Sequence, residues 1–325
     1  MMPRDGAATM SLTGGTGAIT HMFSFPHGME VYKIDRTFRA QTPDDIDPQR
    51  TKPDIPWAWK MSDDVGSSNP IVGRVFIQCT EALNGKTLRR GKPETIRVAL
   101  HTCKEDLRNC EKTFRRLVVE FNALVDEAKA TGGVHTAKGV VNLPQVPNLE
   151  HDVTIFLTSG KRVLQSIAEV LNEFYGITIT NARFDKGKTQ LKALTPVPAN
   201  QVSCLEHFTP VIERLLNLRN FQEHSPKKTI IDNIHLTADG LNPPMWRVDP
   251  ELGQELLPAM QEMLDSLIGL AEESFFCGLM DDLVVPPGPF GYSIQEIPES
   301  QRNGAAVYYR CELTFVTESR EGNAA

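Results

Sequence analysis

The chain has 325 residues, 40% of them apolar and 23% charged, with a formal net charge of -7. This is a globular composition, and it excludes collagen-like, low-complexity and disordered classes. The acidic balance also excludes a global positive field for coating nucleic acid, so any such contact needs a local patch.

Six cysteines, Cys79, Cys103, Cys110, Cys204, Cys277 and Cys311, are scattered, with no CxxC pair and no His at zinc spacing. Neither a disulfide framework nor a metal site is expected, and most of these thiols fall in apolar helical patterns as small hydrophobes. Gly, Thr and His interrupt the first thirty residues where a signal peptide needs an apolar run, and no later segment is long enough to span a bilayer. The expectation is a cytoplasmic protein with reduced thiols and no membrane contact.

In chain order, EVYKIDRTFRA (30 to 40) alternates as one strand. The stretch QTPDDIDPQRTKPDIPWAWKMSDDVGSS carries four prolines and many Asp residues, which predicts an extended surface strap. Trp57 and Trp59 are expected to pin it down; the sharper reading is a base-stacking platform. Asn69-Pro70 opens a helix that stops at Asn84-Gly85, with Val72, Phe76, Cys79 and Leu83 inside. The longest helix starts near Pro93, and Leu100, Cys103, Leu107, Cys110, Phe114, Leu117, Phe121 and Leu124 keep a three-four spacing. It is expected to end at Thr131-Gly132-Gly133.

A second bundle helix carries Val153, Phe156, Leu157, Leu164, Ile167, Leu171 and Phe174 inward and closes at Gly176. ITITNARFDKGKTQLKALTPVP has no helical period and reads as a long loop holding Lys186, Lys188 and Lys192. The third helix runs from about Ser203 to His224, with Leu205, Phe208, Ile212 and Leu215 inward and Arg219 next on that stripe. KKTIIDNIHLTADG reads as a short strand and turn. A last helix opens at Asp249-Pro250, kinked or delayed by Pro258, and buries Leu256, Met260, Met263, Leu267 and Leu270. YSIQEI and AAVYYRCELTFV flank Asn303-Gly304 as a hairpin.

The expected organisation is therefore mainly α: an extended Pro/Asp-rich segment over 1–68, a helical bundle over 69–277 and a β-hairpin extension over 278–325. The bundle carries a small β appendage, namely the N-terminal strand and the C-terminal hairpin.

Phosphate loops, dinucleotide fingerprints, HExxH and GxSxG are all missing from the sequence. What remains is Arg219-Asn220-Phe221-Gln222-Glu223-His224. A guanidinium holds phosphate in two-pronged fashion and an imidazole titrates near neutrality, so together they form a minimal kit for metal-independent RNA cleavage. The His would move a proton at a 2′-hydroxyl or a leaving 5′-oxygen, Arg219 would offset charge on the phosphorane, and Asn220 would orient either group. Lys227 and Lys228 are candidate substrate-binding residues. The same residues have a structural reading: Arg219 pairs with Glu223 one turn away, and His224 complements the dipole at the helix end. Asp63-Asp64 and Asp281-Asp282 are expected to cap helices or solvate the surface.

RNFQEH at the end of a late bundle helix, with FLTSGKRVLQSIAEVLNEFYG before it, resembles the HEPN superfamily over roughly residues 94 to 277. The resemblance implies an antiparallel helical bundle and, in its nuclease members, an Arg, a polar neighbour and a His that face a second protomer. It therefore implies a homodimer acting on RNA without metal or other cofactor, with Arg219, Asn220 and His224 as the matching positions. It further implies a setting in bacterial defence or toxin systems. Two other functions stay open: a non-catalytic interaction module built on the heptad-patterned helix, and a bundle that binds RNA or nucleotide without cleaving.

Overall fold

The computed structural model describes residues 14–25, 28–130, 142–224, 233–238, 240–249 and 251–315. In chain order the elements are β1 (His21–Phe25), β2 (Gly28–Tyr32), β3 (Thr37–Gln41), α1 (Pro43–Ile46) and β4 (Ala58–Asp63). A π-helical stretch, Ile71–Ile77, runs into α2 (Gln78–Leu83), followed by α3 (Pro93–Ala130), α4 (Leu149–Tyr175), α5 (Phe184–Lys192) and α6 (Ala199–His224). Then come β5 (His235–Thr237), β6 (Gly240–Asn242), α7 (Leu256–Asp282), β7 (Phe290–Glu296), a 3-10 turn at Glu299–Gln301 and β8 (Tyr309–Phe315). The protein is mainly α-helical with small antiparallel sheets.

The chain divides into two compact units, one of residues 1–84 with 285–325 and one of residues 85–284. The two expected extensions thus belong to a single unit, which also takes the helix over 71–83. The boundaries fall after Asn84 and Val284 rather than at 68 and 277.

In the first unit β1 to β4 form an antiparallel sheet in sequential order. The strand expected over 30–40 is two strands, because Lys33 N–H donates to Arg36 C=O (2.9 Å) and folds the chain back, setting Val31 opposite Phe38. The expected strap also holds regular structure. Thr42 and Asp45 form a reciprocal capping box on α1, and β4 pairs with β3 through Ala40 and Trp59. Trp57 is 40% exposed and stacks on Trp59 at 6.1 Å, so the pair lies over the strand rather than anchoring a strap.

Asn69 Oδ1 accepts from the amides of Ile71 (2.9 Å) and Val72 (3.3 Å), which starts the next helix where the sequence places it. The buried Phe76 packs against Phe23, Phe25 and Tyr32 of the sheet. The β7–β8 hairpin forms with Asn303 and Gly304 in the left-handed region, but Tyr309, Leu313 and Phe315 on its alternating face are exposed.

In the second unit α3, α4, α6 and α7 form an up-down-up-down bundle. Arg116 pairs with Asp152, and the Cys110 thiol donates to Phe156 C=O, which fixes α3 and α4 as antiparallel. Gln222 donates to Thr154 (2.9 Å), while Tyr175 donates to Gln201 at the other end, so α6 runs against α4. Arg214 to Glu262 and Cys204 to Ser274 run α6 against α7 in the same way. The end of α6 therefore shares one end of the bundle with the starts of α4 and α7.

The core positions expected on α4 and α7 are buried, and Pro258 lies in the first turn of α7, so it delays the helix without kinking it. Leu100, Cys103, Leu107, Cys110 and Leu117 of the α3 stripe are buried, but Phe114, Phe121 and Leu124 are only half-buried. For Phe121 and Leu124 the cause is length: 38 residues make α3 about 57 Å long against about 40 Å for the 27 of α4, at 1.5 Å per residue. The last turns of α3 overhang its partner.

The stretch expected as a long loop contains α5. Its buried positions are Phe184, Gly187 and Leu191, and a Cβ at Gly187 would come within 2.6 Å of Ile179. One of the three residues facing inward is a glycine, so no apolar period shows.

Asp282 closes the bundle. Its fully buried carboxylate accepts from the amides of Arg90 (3.2 Å) and Gly91 (2.8 Å) and pairs with Arg90 Nε (3.2 Å). Asp282→Ala would strand the buried amide of Gly91 and remove the carboxylate that Arg90 pairs with, and stability is expected to fall by about 2–4 kcal/mol in urea denaturation. Asp282→Asn should lose less.

Candidate functional site

The residues singled out by the sequence lie on the last turns of α6. The helix runs through His224, its expected last residue. The restriction that proline imposes falls on the residue immediately before it, here Ser225, and His224 stands one further back.

Continuity of the helix decides how Arg219 and His224 relate. At 3.6 residues per turn, positions i and i+5 point about 140° apart. Their Cβ atoms therefore point apart, yet the side chains bend back so that the guanidinium and the imidazole both approach the same Glu223 oxygen. Asn220 and His224, at i and i+4, share a face.

Arg219 is not the next buried position of the inner stripe. Leu218 takes that place, 2% exposed, and Arg219 stands beside it with its side chain 17% exposed. Its guanidinium pairs with Glu223 one turn on and donates from Nη1 to Asn220 Oδ1 (3.4 Å). Arg219 Nε is buried and has no partner among the described residues. His224 is 70% exposed, with Nε2 3.9 Å from the same Glu223 carboxylate. Phe221 is exposed, and Gln222, through Thr154, ties this turn to α4.

The electrostatics are mixed. Glu223 already neutralises Arg219, and the turn lies at the negative end of the α6 dipole, which disfavours a phosphate. A phosphate entering here must take the guanidinium from Glu223.

Lys227 and Lys228 lie outside the described residues. Lys186, Lys188 and Lys192 lie on α5, where Lys188 donates to Thr209 (2.9 Å) and Lys192 pairs with Glu206 (2.7 Å). Thr209 precedes Arg219 by about 15 Å along the helix, so these lysines add no positive charge around His224. A cleft of about 320 Å³ between α5 and α6, bordered by Arg183, Lys188, Glu213 and Leu216, carries charges of both signs.

The sequence reading missed the hold of Arg214 on the turn at 251–254. Arg214 bonds Glu251 (2.6 Å), Glu262 (2.7 Å) and Gln254 (3.2 Å), fixing the middle of α6. Only Glu262 lies in a regular element, so spacing along the chain gave no sign of it. Asp281 and Asp282 serve structure, Asp281 by accepting from Tyr175 Oη (2.7 Å).

No family model, curated protein or solved structure matches the chain. Among the described residues no helix is long and apolar enough to cross a membrane.

Proposed function

We propose that the chain is an HEPN-like helical-bundle endoribonuclease that cleaves RNA without a metal, using Arg219 and His224 across a homodimer. The observation that carries the reading is the terminal turn of α6, where Arg219 and the exposed His224 both approach one Glu223 carboxylate oxygen. The second copy comes from the resemblance, whose nuclease members face two such pairs across a dimer. In the reaction, a His224 imidazole takes the 2′-hydroxyl proton as the 2′-oxygen attacks phosphorus. The bond to the 5′-oxygen breaks, that oxygen is protonated, and a 2′,3′-cyclic phosphate remains. Arg219, released from Glu223, offsets the charge on the phosphorane. The resemblance that suggests this chemistry also suggests a place in a defence or toxin system.

The test is an RNA cleavage assay in EDTA on mixed structured and unstructured RNAs. Cleavage leaving 2′,3′-cyclic ends, falling on dilution of the dimer and lost in both Arg219→Ala and His224→Ala, supports the proposal. A wild-type chain that cleaves nothing, or cleavage that survives both substitutions, overturns it.

A second reading, a non-catalytic interaction module, is favoured by two observations: the Arg219–Glu223 ion pair and the apolar overhang of α3. On this reading Phe121→Asp with Leu124→Asp abolishes self-association in sedimentation velocity, while Ala at 219 and 224 changes nothing.

A further inference from the structure

A separate cluster of reactive side chains lies at the opposite end of α6, where its first turns meet the last turns of α7. Cys204 is buried and Cys277 half-buried, and both are free thiols. The Cys204 sulfur stands 3.7 Å from Ser274 Oγ. Ser274 precedes Cys277 by one helical turn, so both face α6. Cys204 therefore packs against the turn of α7 that carries Cys277. Around them Gln201 reaches Ser274 (3.5 Å), and Tyr175 joins Gln201 (3.5 Å) to Asp281 (2.7 Å).

The pair is asymmetric in access and in acidity. Interaction with Cys204 lowers the Cys277 thiol, opposed by burial and by the charges of Asp281 and Glu273. The same interaction, with burial, pushes Cys204 up. The more open thiol is therefore the one whose thiolate is stabilised, and its neighbour holds a proton in reserve. A peroxide-reactive cysteine with a resolving partner needs this division of roles. By contrast, Cys103 and Cys110 are fully buried, and burial pushes both thiols up.

We propose that Cys277 is a peroxide-reactive thiol and that Cys204 resolves it into a disulfide joining α6 to α7. The Cys277 thiolate attacks one oxygen of hydrogen peroxide. The O–O bond breaks, hydroxide leaves and is protonated to water, and Cys277 becomes a sulfenic acid. Cys204 then gives up its proton and attacks the Cys277 sulfur, forming the S–S bond as the S–O bond breaks and a second water leaves. Two thiols are oxidised by two electrons while one peroxide is reduced to two waters.

The test treats the full chain with stoichiometric hydrogen peroxide, blocks remaining thiols with iodoacetamide and maps non-reduced peptides by mass spectrometry. The expected result is a linked peptide containing Cys204 and Cys277 that dithiothreitol removes, formed at least about tenfold faster than oxidation of Cys103 or Cys110. With dimedone present, Cys204→Ser should accumulate the adduct on Cys277, and Cys277→Ser should give neither adduct nor link. Absence of the linked peptide from the wild type while other cysteines oxidise would overturn the proposal. So would equal dimedone labelling of Cys277 in the wild type and Cys204→Ser. The linked peptide is read on the wild type alone, so a variant that fails to fold does not blunt the test.

Discussion

His224→Ala is expected to slow RNA cleavage by about a hundred- to ten-thousand-fold, the usual contribution of one general acid or base, while leaving stability within about 0.5 kcal/mol. The stability half follows from an imidazole that is 70% exposed and, among the described residues, approaches Glu223 at 3.9 Å. Arg219→Ala should cost a similar factor in rate but also about 1 kcal/mol of stability, because the side chain is mostly buried and holds Glu223. Arg219→Lys keeps the charge without the planar fork, so it should keep the fold and lose most of the activity.

The variant that separates catalysis from structure is Glu223→Gln. If Arg219 receives a phosphate, removing the carboxylate that occupies it should tighten RNA binding severalfold, and fluorescence anisotropy with labelled RNA reads this directly. If the ion pair is only structural, the substitution loses a few tenths of a kcal/mol and RNA binding does not change.

Gly278→Ala is expected to destabilise the bundle by about 2 kcal/mol, against the normal preference for alanine in a helix. A methyl built on Gly278 falls 2.3 Å from Cδ2 and 2.8 Å from Cγ of Phe174. Phe174 is fully buried and packs edge-on to Phe275 at 5.8 Å, so its ring has nowhere to go. The propensity gain of about 1 kcal/mol is smaller than the cost of overpacking a dense core. Phe174→Leu should relieve part of the clash, so the double variant should be more stable than the sum of the singles by about 1 kcal/mol in urea denaturation. A stabilising Gly278→Ala would mean that α4 and α7 are not in backbone-close contact.

The long helices were legible because each buries a stripe repeating at three and four residues, and Leu164, Leu171, Met260 and Leu267 are all inside. Elements whose burial rests on something other than apolar side chains were not. In α5 a glycine makes the contact, and β4 is a Trp- and Lys-bearing strand with proline just before it. No Gly, Pro or Asn stands between Tyr32 and Thr37, so no strong turn signal marked the reversal between β2 and β3. At the site, the positions of Arg219 and His224 were readable, and so was Glu223 as a rival partner at i+4. The approach of both groups to one Glu223 oxygen depends on side-chain conformation, which spacing along the chain does not show. The meeting of Cys204 with Cys277 needs the α6–α7 packing and leaves no trace in local spacing.

The entry and exit of the bundle are stitched together: Val284 N–H donates to Thr87 C=O (2.9 Å), and Leu88 bridges Leu283. During synthesis, residues 85–284 emerge as an uninterrupted run and can complete their own core. The unit begun by residues 1–84 waits for the final stretch, since Gln78 Oε1 accepts from the amides of Tyr308 (2.6 Å) and Tyr309 (2.8 Å). A folded bundle with a closed doorway shortens that wait from a search across some two hundred flexible residues to a nearly local encounter. Damage to the bundle should then surface first as failed maturation of the sheet unit.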